Sequence, residues 1–233
     1  MVKLMVSVVA RAEALEALRG GADIIDVKNP GEGALGAQKP WVVREIMESL
    51  PRGFEVSVAL GDLPYLPGTA SLAAVGAALL GASYVKVGLL GARSLEEAVQ
   101  MVRAVKASME ALNLKAKVVA CGYADYAELG CLSPLRLPEA AYKAEAEGIL
   151  VDVKRKDGNL NLFSFLGEED LRRLVVEAQS FGGFAALAGG LNLEMLEKCV
   201  RLGADVVGIR RGVLTNGRVS RSLVAQAASI IHR

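Results

Sequence analysis

The sequence contains the stretch Gly21-Ala22-Asp23-Ile24-Ile25-Asp26-Val27-Lys28, in which a glycine leads directly into a short apolar run. In this pattern we expect the glycine to end a helix and the chain then to enter a strand. The pattern recurs in Gly81-Ala82-Ser83-Tyr84-Val85 and Gly203-Ala204-Asp205-Val206-Val207, and more loosely in Glu147-Gly148-Ile149-Leu150-Val151. The copies lead into the second, fourth, sixth and eighth predicted strands, which indicates a repeating unit of two strands and two helices.

Short apolar strands alternate with amphipathic helical segments along the whole chain, a pattern typical of parallel strands covered by helices. The predicted strands are 4–9, 23–28, 55–60, 84–89, 117–122, 148–154, 185–189 and 205–210, and helical patterns lie between them, for example at 94–112, 168–181 and 192–202. Ser94 and Glu97 have the spacing of a capping box at a helix start. The sequence therefore predicts an α/β protein with one (β/α)8 TIM barrel as a single domain over residues 1–233. An open doubly wound parallel sheet is the alternative.

The composition and charge of the chain argue against several classes of protein. The chain has 233 residues, 52% of them hydrophobic, and a formal net charge of +1. A near-neutral charge argues against nucleic-acid or membrane-surface binding, and no apolar run approaches the ~20 residues needed to span a bilayer. The apolar start resembles a short signal peptide, but a buried first strand explains it better. The three cysteines, Cys121, Cys131 and Cys199, are irregularly spaced and fit no disulfide framework, so we expect a cytoplasmic protein. Barrels of this size often self-associate, so we also expect a homo-oligomer.

The sole histidine, His232, is the penultimate residue, where we expect the chain to fray. Histidine triads and histidine-ligated zinc are thereby excluded, and we expect neither a metal nor a cofactor. Acid–base chemistry must then rest on lysine, carboxylate, tyrosine or cysteine side chains.

Charged residues recur where the predicted strands end. Because side chains alternate across a strand, Asp26 and Lys28 point into the barrel mouth while their apolar neighbours face the helices. Lys86 takes the same position on the fourth strand. The sixth strand repeats the pattern with Asp152 and Lys154, and Lys156 follows. The alternative is that these charged residues have no catalytic role and each forms an ordinary ion pair at a solvated strand end.

Lysines converging on one mouth favour Schiff-base chemistry with an aldehyde or ketone. Such a lysine must be neutral to attack, and neighbouring cations favour the neutral amine. Nearby carboxylates can move protons during addition and dehydration. The active sites of TIM barrels lie at the carboxyl ends of the strands, where these residues are expected.

Two glycine-rich segments need separate interpretations. Gly31-Glu32-Gly33-Ala34-Leu35-Gly36 matches the dinucleotide-binding pattern G-x-G-x-x-G, but Pro40 would then fall inside the helix that should open there. A mobile loop closing over the site explains the segment better. After the seventh and eighth strands, the sequence predicts a phosphate site, with ordinary strand-to-helix turns as the alternative. Its expected residues are Gly189, Gly190, Gly208 and Arg210, with Arg211 as the other arginine.

Together these stretches resemble the (5-formylfuran-3-yl)methyl phosphate synthase family of methanofuran biosynthesis. The resemblance rests on Asp23-Ile24-Ile25-Asp26-Val27-Lys28-Asn29-Pro30, Gly61-Asp62, Pro64-Tyr65, Pro67-Gly68-Thr69, Tyr84-Val85-Lys86-Val87-Gly88-Leu89, Gly122-Tyr123-Ala124-Asp125, Lys156-Asp157-Gly158, Ala186-Leu187-Ala188-Gly189 and Val207-Gly208-Ile209-Arg210. It covers nearly the whole chain.

The resemblance implies a lyase, similar in fold and logic to class I aldolases. It would join two molecules of glyceraldehyde 3-phosphate into a phosphorylated furan aldehyde, with loss of one phosphate and of water. It implies Lys28 as the Schiff-base lysine and Lys86 as the proton acceptor, with Asp26, Asp152 and Lys156 in support. Whether Lys154 or Lys156 reaches the substrate stays open. So do two rival functions, a simple phosphosugar aldolase and a non-catalytic barrel that binds a phosphate ligand.

Overall fold

The computed structural model describes residues 1–155 and 158–233. Eight parallel strands close into a barrel in sequence order, and β1 pairs with both β2 and β8. The strands are β1 (Lys3–Val8), β2 (Ile24–Val27), β3 (Glu55–Ala59), β4 (Tyr84–Gly88), β5 (Lys117–Tyr123), β6 (Gly148–Asp152), β7 (Phe184–Leu187) and β8 (Val206–Ile209). The closed order confirms the (β/α)8 TIM barrel and rules out the open sheet.

Helices surround the barrel, and a two-stranded ribbon follows β8. The helices are α1 (Arg11–Arg19), α2 (Pro40–Ser49), α3 (Pro67–Leu79), α4 (Leu95–Ala111), α5 (Tyr126–Leu129), α6 (Leu137–Lys143), α7 (Glu168–Ser180), α8 (Leu193–Arg201) and α9 (Arg221–Ile231); the ribbon is β9 (Leu214–Thr215) and β10 (Arg218–Val219). In the described ranges, none of these helices combines the length and apolarity needed to cross a bilayer. The predicted capping residue Ser94 does accept a hydrogen bond from the Glu97 N–H, at 3.2 Å.

Two apolar layers hold the barrel together. The larger lies between strands and helices and includes Ile25 and Val27, and the smaller fills the barrel interior. Asp26, between those two residues, is completely buried on the inner side. The predicted alternation along β2 is therefore confirmed, and it is what directs charged side chains into the barrel.

The repeated glycines act as predicted at three of their four positions. Gly21, Gly81 and Gly203 have φ angles of 93°, 100° and 87°, a backbone conformation that glycine adopts without strain. Before β6, however, Glu145 takes the left-handed conformation, with φ of 57°. Gly148 instead begins β6, where a Cβ atom would lie 2.6 Å from the Phe184 ring. In this fourth, looser copy the glycine is therefore needed for close packing against Phe184 and not for the turn.

Two expectations were wrong in detail. β6 was predicted to run to residue 154, but it ends at Asp152. Beyond it, the Asp125 carboxylate accepts hydrogen bonds from the N–H groups of Lys154 and Arg155, at 3.0 and 2.8 Å, so a side chain rather than a neighbouring strand holds this segment. His232 was expected to fray, but its Nε2 lies 2.7 Å from the Asp23 carboxylate.

Candidate active site

A buried ion pair lies in the barrel interior. Asp26 on β2 and Lys86 on β4 bring Oδ1 and Nζ within 2.6 Å, and the Ser7 hydroxyl donates to Asp26 Oδ2 at 2.8 Å. Burial alone raises the pKa of Asp26. The charges of Lys86 and Lys28, with hydrogen bonds from Lys86 and Ser7, outweigh that effect and leave the pKa below its ordinary value. Asp26 is therefore ionised at neutral pH.

A second lysine–carboxylate pair lies beside the first. Lys28 follows β2 directly, and its Nζ lies 3.5 Å from Oδ2 of Asp152, the last residue of β6. Both side chains are buried. The strands that carry them lie on opposite sides of the barrel, so the pair spans the interior. The structure thus brings together four of the predicted catalytic residues, Asp26, Lys28, Lys86 and Asp152.

These side chains line a cavity of about 350 Å³ at the carboxyl ends of the strands. This volume is in the usual range for sites that bind small ligands. The cavity is lined by Met5, Ser7, Asp26, Lys28, Pro30, Gly33, Ala34, Lys86, Leu150, Asp152, Lys154, Ala188, Gly189, Gly190, Leu191, Gly208, Ile209, Arg210, Arg211 and Leu214. Every predicted site residue except Lys156 is among them. Lys156 lies outside the described residues.

The glycines that were predicted to bind phosphate line the cavity next to the ends of β7 and β8. Gly189 and Gly190 have φ angles of 106° and 65°. Among the hydrogen bonds of the described residues, none is donated by the N–H of either glycine. Such N–H groups beside a cavity suit an anion. Gly208 also has a packing reason, since a Cβ there would lie 2.8 Å from the Met5 side chain.

The two arginines have different partners. Arg210 donates to the Glu13 carboxylate and to the Ser7 carbonyl, at 2.7 and 2.8 Å, so its guanidinium is fixed against α1. Arg211 donates to the Gly158 carbonyl at 2.8 Å. Both line the cavity, and the arginine contact to phosphate stays a prediction.

The segment that matches G-x-G-x-x-G forms part of the cavity wall. α2 begins only at Pro40, so no helix opens within the glycines and the dinucleotide pattern is coincidental. Gly33 and Ala34 of the segment line the cavity, and Leu35 anchors it in the barrel interior. Its predicted mobility stays a prediction.

Sequence reasoning gave no role to Asp62 and Tyr123, which meet beside the cavity. The Tyr123 hydroxyl donates to Asp62 Oδ1 at 2.5 Å, and Lys154 Nζ lies 2.7 Å from Oδ2. Burial, followed by the charge of Asp62, raises the pKa of Tyr123 well above its ordinary value, so the phenol stays protonated. The signal was the position of Asp62 in the loop after β3 and of Tyr123 at the end of β5, since a barrel places functional side chains at the carboxyl ends of its strands.

No group of three histidine, cysteine, aspartate or glutamate side chains in residues 1–155 and 158–233 is arranged to hold a metal ion. The site consists of lysines, carboxylates, a tyrosine and glycine backbone. This set of groups can form an imine, move protons and bind an anion.

A family model described as 4-HFC-P synthase matches residues 4–230. The chain is 45% identical over 234 residues to the (5-formylfuran-3-yl)methyl phosphate synthase of Archaeoglobus fulgidus, covering 99% of each chain. It is 46% identical over 234 residues to the protein of that name from Methanopyrus kandleri, covering 98% of each. The corresponding identity for Methanocaldococcus jannaschii is 44% over 228 residues, covering 96% of this chain and 97% of that one.

Solved structures resemble the chain in fold. Phosphoribosyl anthranilate isomerase from Thermotoga maritima superposes with a TM-score of 0.67 at 18% identity, over 100% of this chain and 99% of that one. Thiamine phosphate pyrophosphorylase from Pyrococcus furiosus gives 0.60 at 18% identity, over 99% and 96%. At this identity the likeness shows the TIM-barrel fold alone.

Replacing Asp26 by Asn should destabilise the protein, because Lys86 would keep a buried charge with no counter-charge. Breaking a buried pair in this way typically costs about 3–5 kcal/mol of unfolding free energy. The double variant Asp26→Asn/Lys86→Met removes both charges and should recover most of the loss. Urea unfolding at pH 7 gives the unfolding free energies of the wild type, the single variant and the double variant. Equal losses in the single and double variants would contradict the ion pair as the cause.

The difference in unfolding free energy between wild type and Asp26→Asn should also depend on pH, and the lowered pKa of Asp26 determines in which direction. The folded-state pKa of Asp26 lies below its ordinary value of 3.8. Its stabilising contribution is therefore fully present above that value and is lost as the pH falls toward the folded-state pKa. The free-energy difference between wild type and Asp26→Asn should stay constant from neutral pH to about pH 5 and shrink only in stronger acid. Shrinkage already above about pH 5 would contradict a lowered pKa.

Proposed function

This chain belongs to the 4-HFC-P synthase family, and we propose that it makes (5-formylfuran-3-yl)methyl phosphate from two molecules of glyceraldehyde 3-phosphate through a Schiff base on Lys28. The observation that carries the proposal is the pair of buried lysine–carboxylate contacts in one cavity, Lys28 with Asp152 and Lys86 with Asp26. In this reading the product serves methanofuran biosynthesis in the cytoplasm.

Lys28 has the position of the nucleophile. Lys28 first gives a proton to the Asp152 carboxylate, its ion-pair partner. The neutral amine then attacks the aldehyde carbon of one triose phosphate, and water leaves to give an imine. The protonated imine withdraws electrons from the next carbon, whose proton passes to the Lys86–Asp26 pair. Elimination then releases phosphate from the third carbon. The remaining three-carbon unit is an enol whose terminal carbon is the nucleophile.

The second triose must react as a ketone. In the product, the phosphomethyl group lies on the ring carbon that forms the new bond, so this carbon is the middle carbon of the second triose. Proton transfer between its first two carbons converts the aldehyde to the ketone, and the same lysines and carboxylates supply it. After carbon–carbon bond formation, ring closure, loss of two water molecules and release from Lys28 give the furan aldehyde. The sum is two trioses in, with one phosphate and two waters out.

The glycines after β7 and β8 are the proposed site for a substrate phosphate. The N–H groups of Gly189 and Gly190 support this, as does the position of Gly208 on the same wall. Arg210 also lines the cavity, and its guanidinium is held by the Glu13 carboxylate. Lys28 lines the same cavity, so a triose phosphate held by its phosphate at these glycines lies in the cavity that contains the Lys28 amine.

Lys28 should carry the covalent intermediate. Borohydride reduction of the wild type in the presence of glyceraldehyde 3-phosphate should leave an adduct on the peptide containing Lys28, as read by mass spectrometry. Lys28→Arg keeps the charge but cannot form the imine, so adduct and activity should both fall to background. An adduct mapped to Lys86 or Lys154 would overturn the assignment. No adduct at all would favour the phosphate-binding barrel.

Lys86→Ala should lower turnover while leaving the Lys28 adduct in place. General acid–base groups contribute about 10²–10⁴-fold to rate, and a loss in this range is expected. Steady-state phosphate release gives the rate, and borohydride trapping on the same variant reports imine formation. Near-normal turnover would contradict the proton-transfer role.

The product separates the proposed activity from that of a simple aldolase. Glyceraldehyde 3-phosphate alone should yield inorganic phosphate together with a new near-ultraviolet absorbance, because the aldehyde of the product is conjugated with an aromatic furan. A plain aldol product retains both phosphates and lacks that absorbance. A reducible adduct without phosphate release and without the absorbance would establish the aldolase instead.

A further inference from the structure

The Asp62 carboxylate joins several segments around the cavity. It accepts hydrogen bonds from the N–H groups of Ala34 and Leu35, at 2.9 and 3.1 Å, and from the Tyr123 hydroxyl, at 2.5 Å. Lys154 Nζ donates to it at 2.7 Å. The Asp62 side chain is only 3% exposed. One carboxylate thus binds four donors from the segment after β2, the end of β5 and the segment after β6.

The chain is shaped to let this carboxylate approach. Gly33 has a φ angle of 137°, and a Cβ there would lie 2.1 Å from Asp62 Oδ2. Only glycine therefore fits between the loop and the carboxylate. The N–H of Gly61 also donates to the Leu35 carbonyl, at 2.9 Å. The loop of residues 29–36, whose Gly33 and Ala34 line the cavity, is held in place from the β3 side.

Lys154 is held at both its backbone and its ammonium group. Asp125 accepts from its N–H, while Asp62 accepts from Nζ. Its side chain runs from the segment after β6 to the segment after β3, across the cavity mouth. That side chain is 28% exposed and lines the cavity. Its ammonium has three donors, and the contact with Asp62 uses one.

The proposed function calls for a second anion site. Two triose phosphates enter one cavity, and the glycines after β7 and β8 provide for one phosphate group. Asp62 does not line the cavity itself, whereas Lys154 does. We propose that Lys154 binds the phosphate of the second triose, and that Asp62 is the positioning residue that directs the Lys154 ammonium toward it. This inference rests on the proposed function.

The affinity for glyceraldehyde 3-phosphate tests the role of Lys154. Titration calorimetry in a Lys28→Arg background measures binding without imine formation. There Lys154→Met should weaken binding of one triose molecule about 10- to 100-fold, the size expected for a charge-assisted hydrogen bond. Lys154→Arg should restore a large part of it. Lys143→Met removes an exposed lysine that is paired with Glu139, and it should change nothing.

In otherwise wild-type protein, Lys154→Met should raise KM far more than it lowers kcat, because the reacting groups around Lys28 remain. A fall in kcat with unchanged KM would overturn the binding role. An equal effect of Lys143→Met would show that the net charge of the protein, not the position of Lys154, determines affinity.

A double-mutant cycle tests whether Asp62 acts through Lys154. Asp62→Asn should weaken binding about 10-fold when Lys154 is present, and less than about threefold in the Lys154→Met background. Equal fold-changes in both backgrounds would show that Asp62 acts only by holding the loop. That result would overturn its positioning role.

Hydrogen exchange separates the loop contacts from substrate binding. Asp62→Asn should speed amide exchange at Ala34 and Leu35, whereas Lys154→Met leaves their acceptor in place and should not. Equal acceleration in both variants would mean that Lys154 holds the loop rather than a ligand, which would overturn the proposal.

The outcomes also distinguish this inference from the proposed function. If the Lys28→Arg protein binds no glyceraldehyde 3-phosphate, the proposed substrate is wrong and the role of Lys154 fails with it. If it binds the triose phosphate and Lys154→Met leaves both affinity and KM unchanged, only the inference about Lys154 and Asp62 is overturned.

Discussion

Burial of charge inside a closed barrel is the constraint on which the site depends. Asp26, Lys86, Lys28 and Asp152 are all buried, with at most 6% of each residue exposed. A buried lysine is costly without a partner, and each of these has a carboxylate within 3.5 Å. The pairing makes the charges tolerable, and it also leaves proton donors and acceptors in contact. The same arrangement that satisfies the electrostatics therefore supplies acid–base groups.

Buried ion pairs are weak sources of stability, since desolvation offsets most of their attraction. Apolar residues of similar size would serve a purely structural interior at least as well. Two such pairs in one cavity, beside a wall of glycine N–H groups, favour catalysis over a barrel that only binds a phosphate ligand. A simple aldolase would need the same groups. The difference between aldolase and synthase lies in elimination of phosphate and closure of the furan ring, steps that require proton transfer at several carbons.

The walls of the cavity are set by side chains that do not line it. Glu13 fixes Arg210 against α1, Asp125 fixes the backbone after β6, and Asp62 fixes the loop of residues 29–36 together with Lys154. Each of these carboxylates satisfies backbone N–H groups or cations in loops, where no ladder of strand hydrogen bonds is available. A rigid barrel with loops held by carboxylates keeps the charged groups at fixed separations, which is what orienting a bound substrate for reaction requires.

The sequence by itself determined the barrel, because periodic patterns report burial residue by residue. Alternation along β2 was enough to place Asp26 inside and Ile25 outside, and the repeated glycines located the turns before β2, β4 and β8. Only the tertiary structure decided which charges meet. Lys86 on β4 pairs with Asp26 on β2, with only β3 between them, and Lys28 reaches Asp152 across the barrel, because barrel closure brings together residues far apart in the chain. The tertiary structure also decided that β6 ends at Asp152 and that Lys154 pairs with Asp62. The physical reason is that strand alternation is a local property, whereas the hydrogen bonds that Asp125 accepts from a loop backbone depend on how distant segments pack.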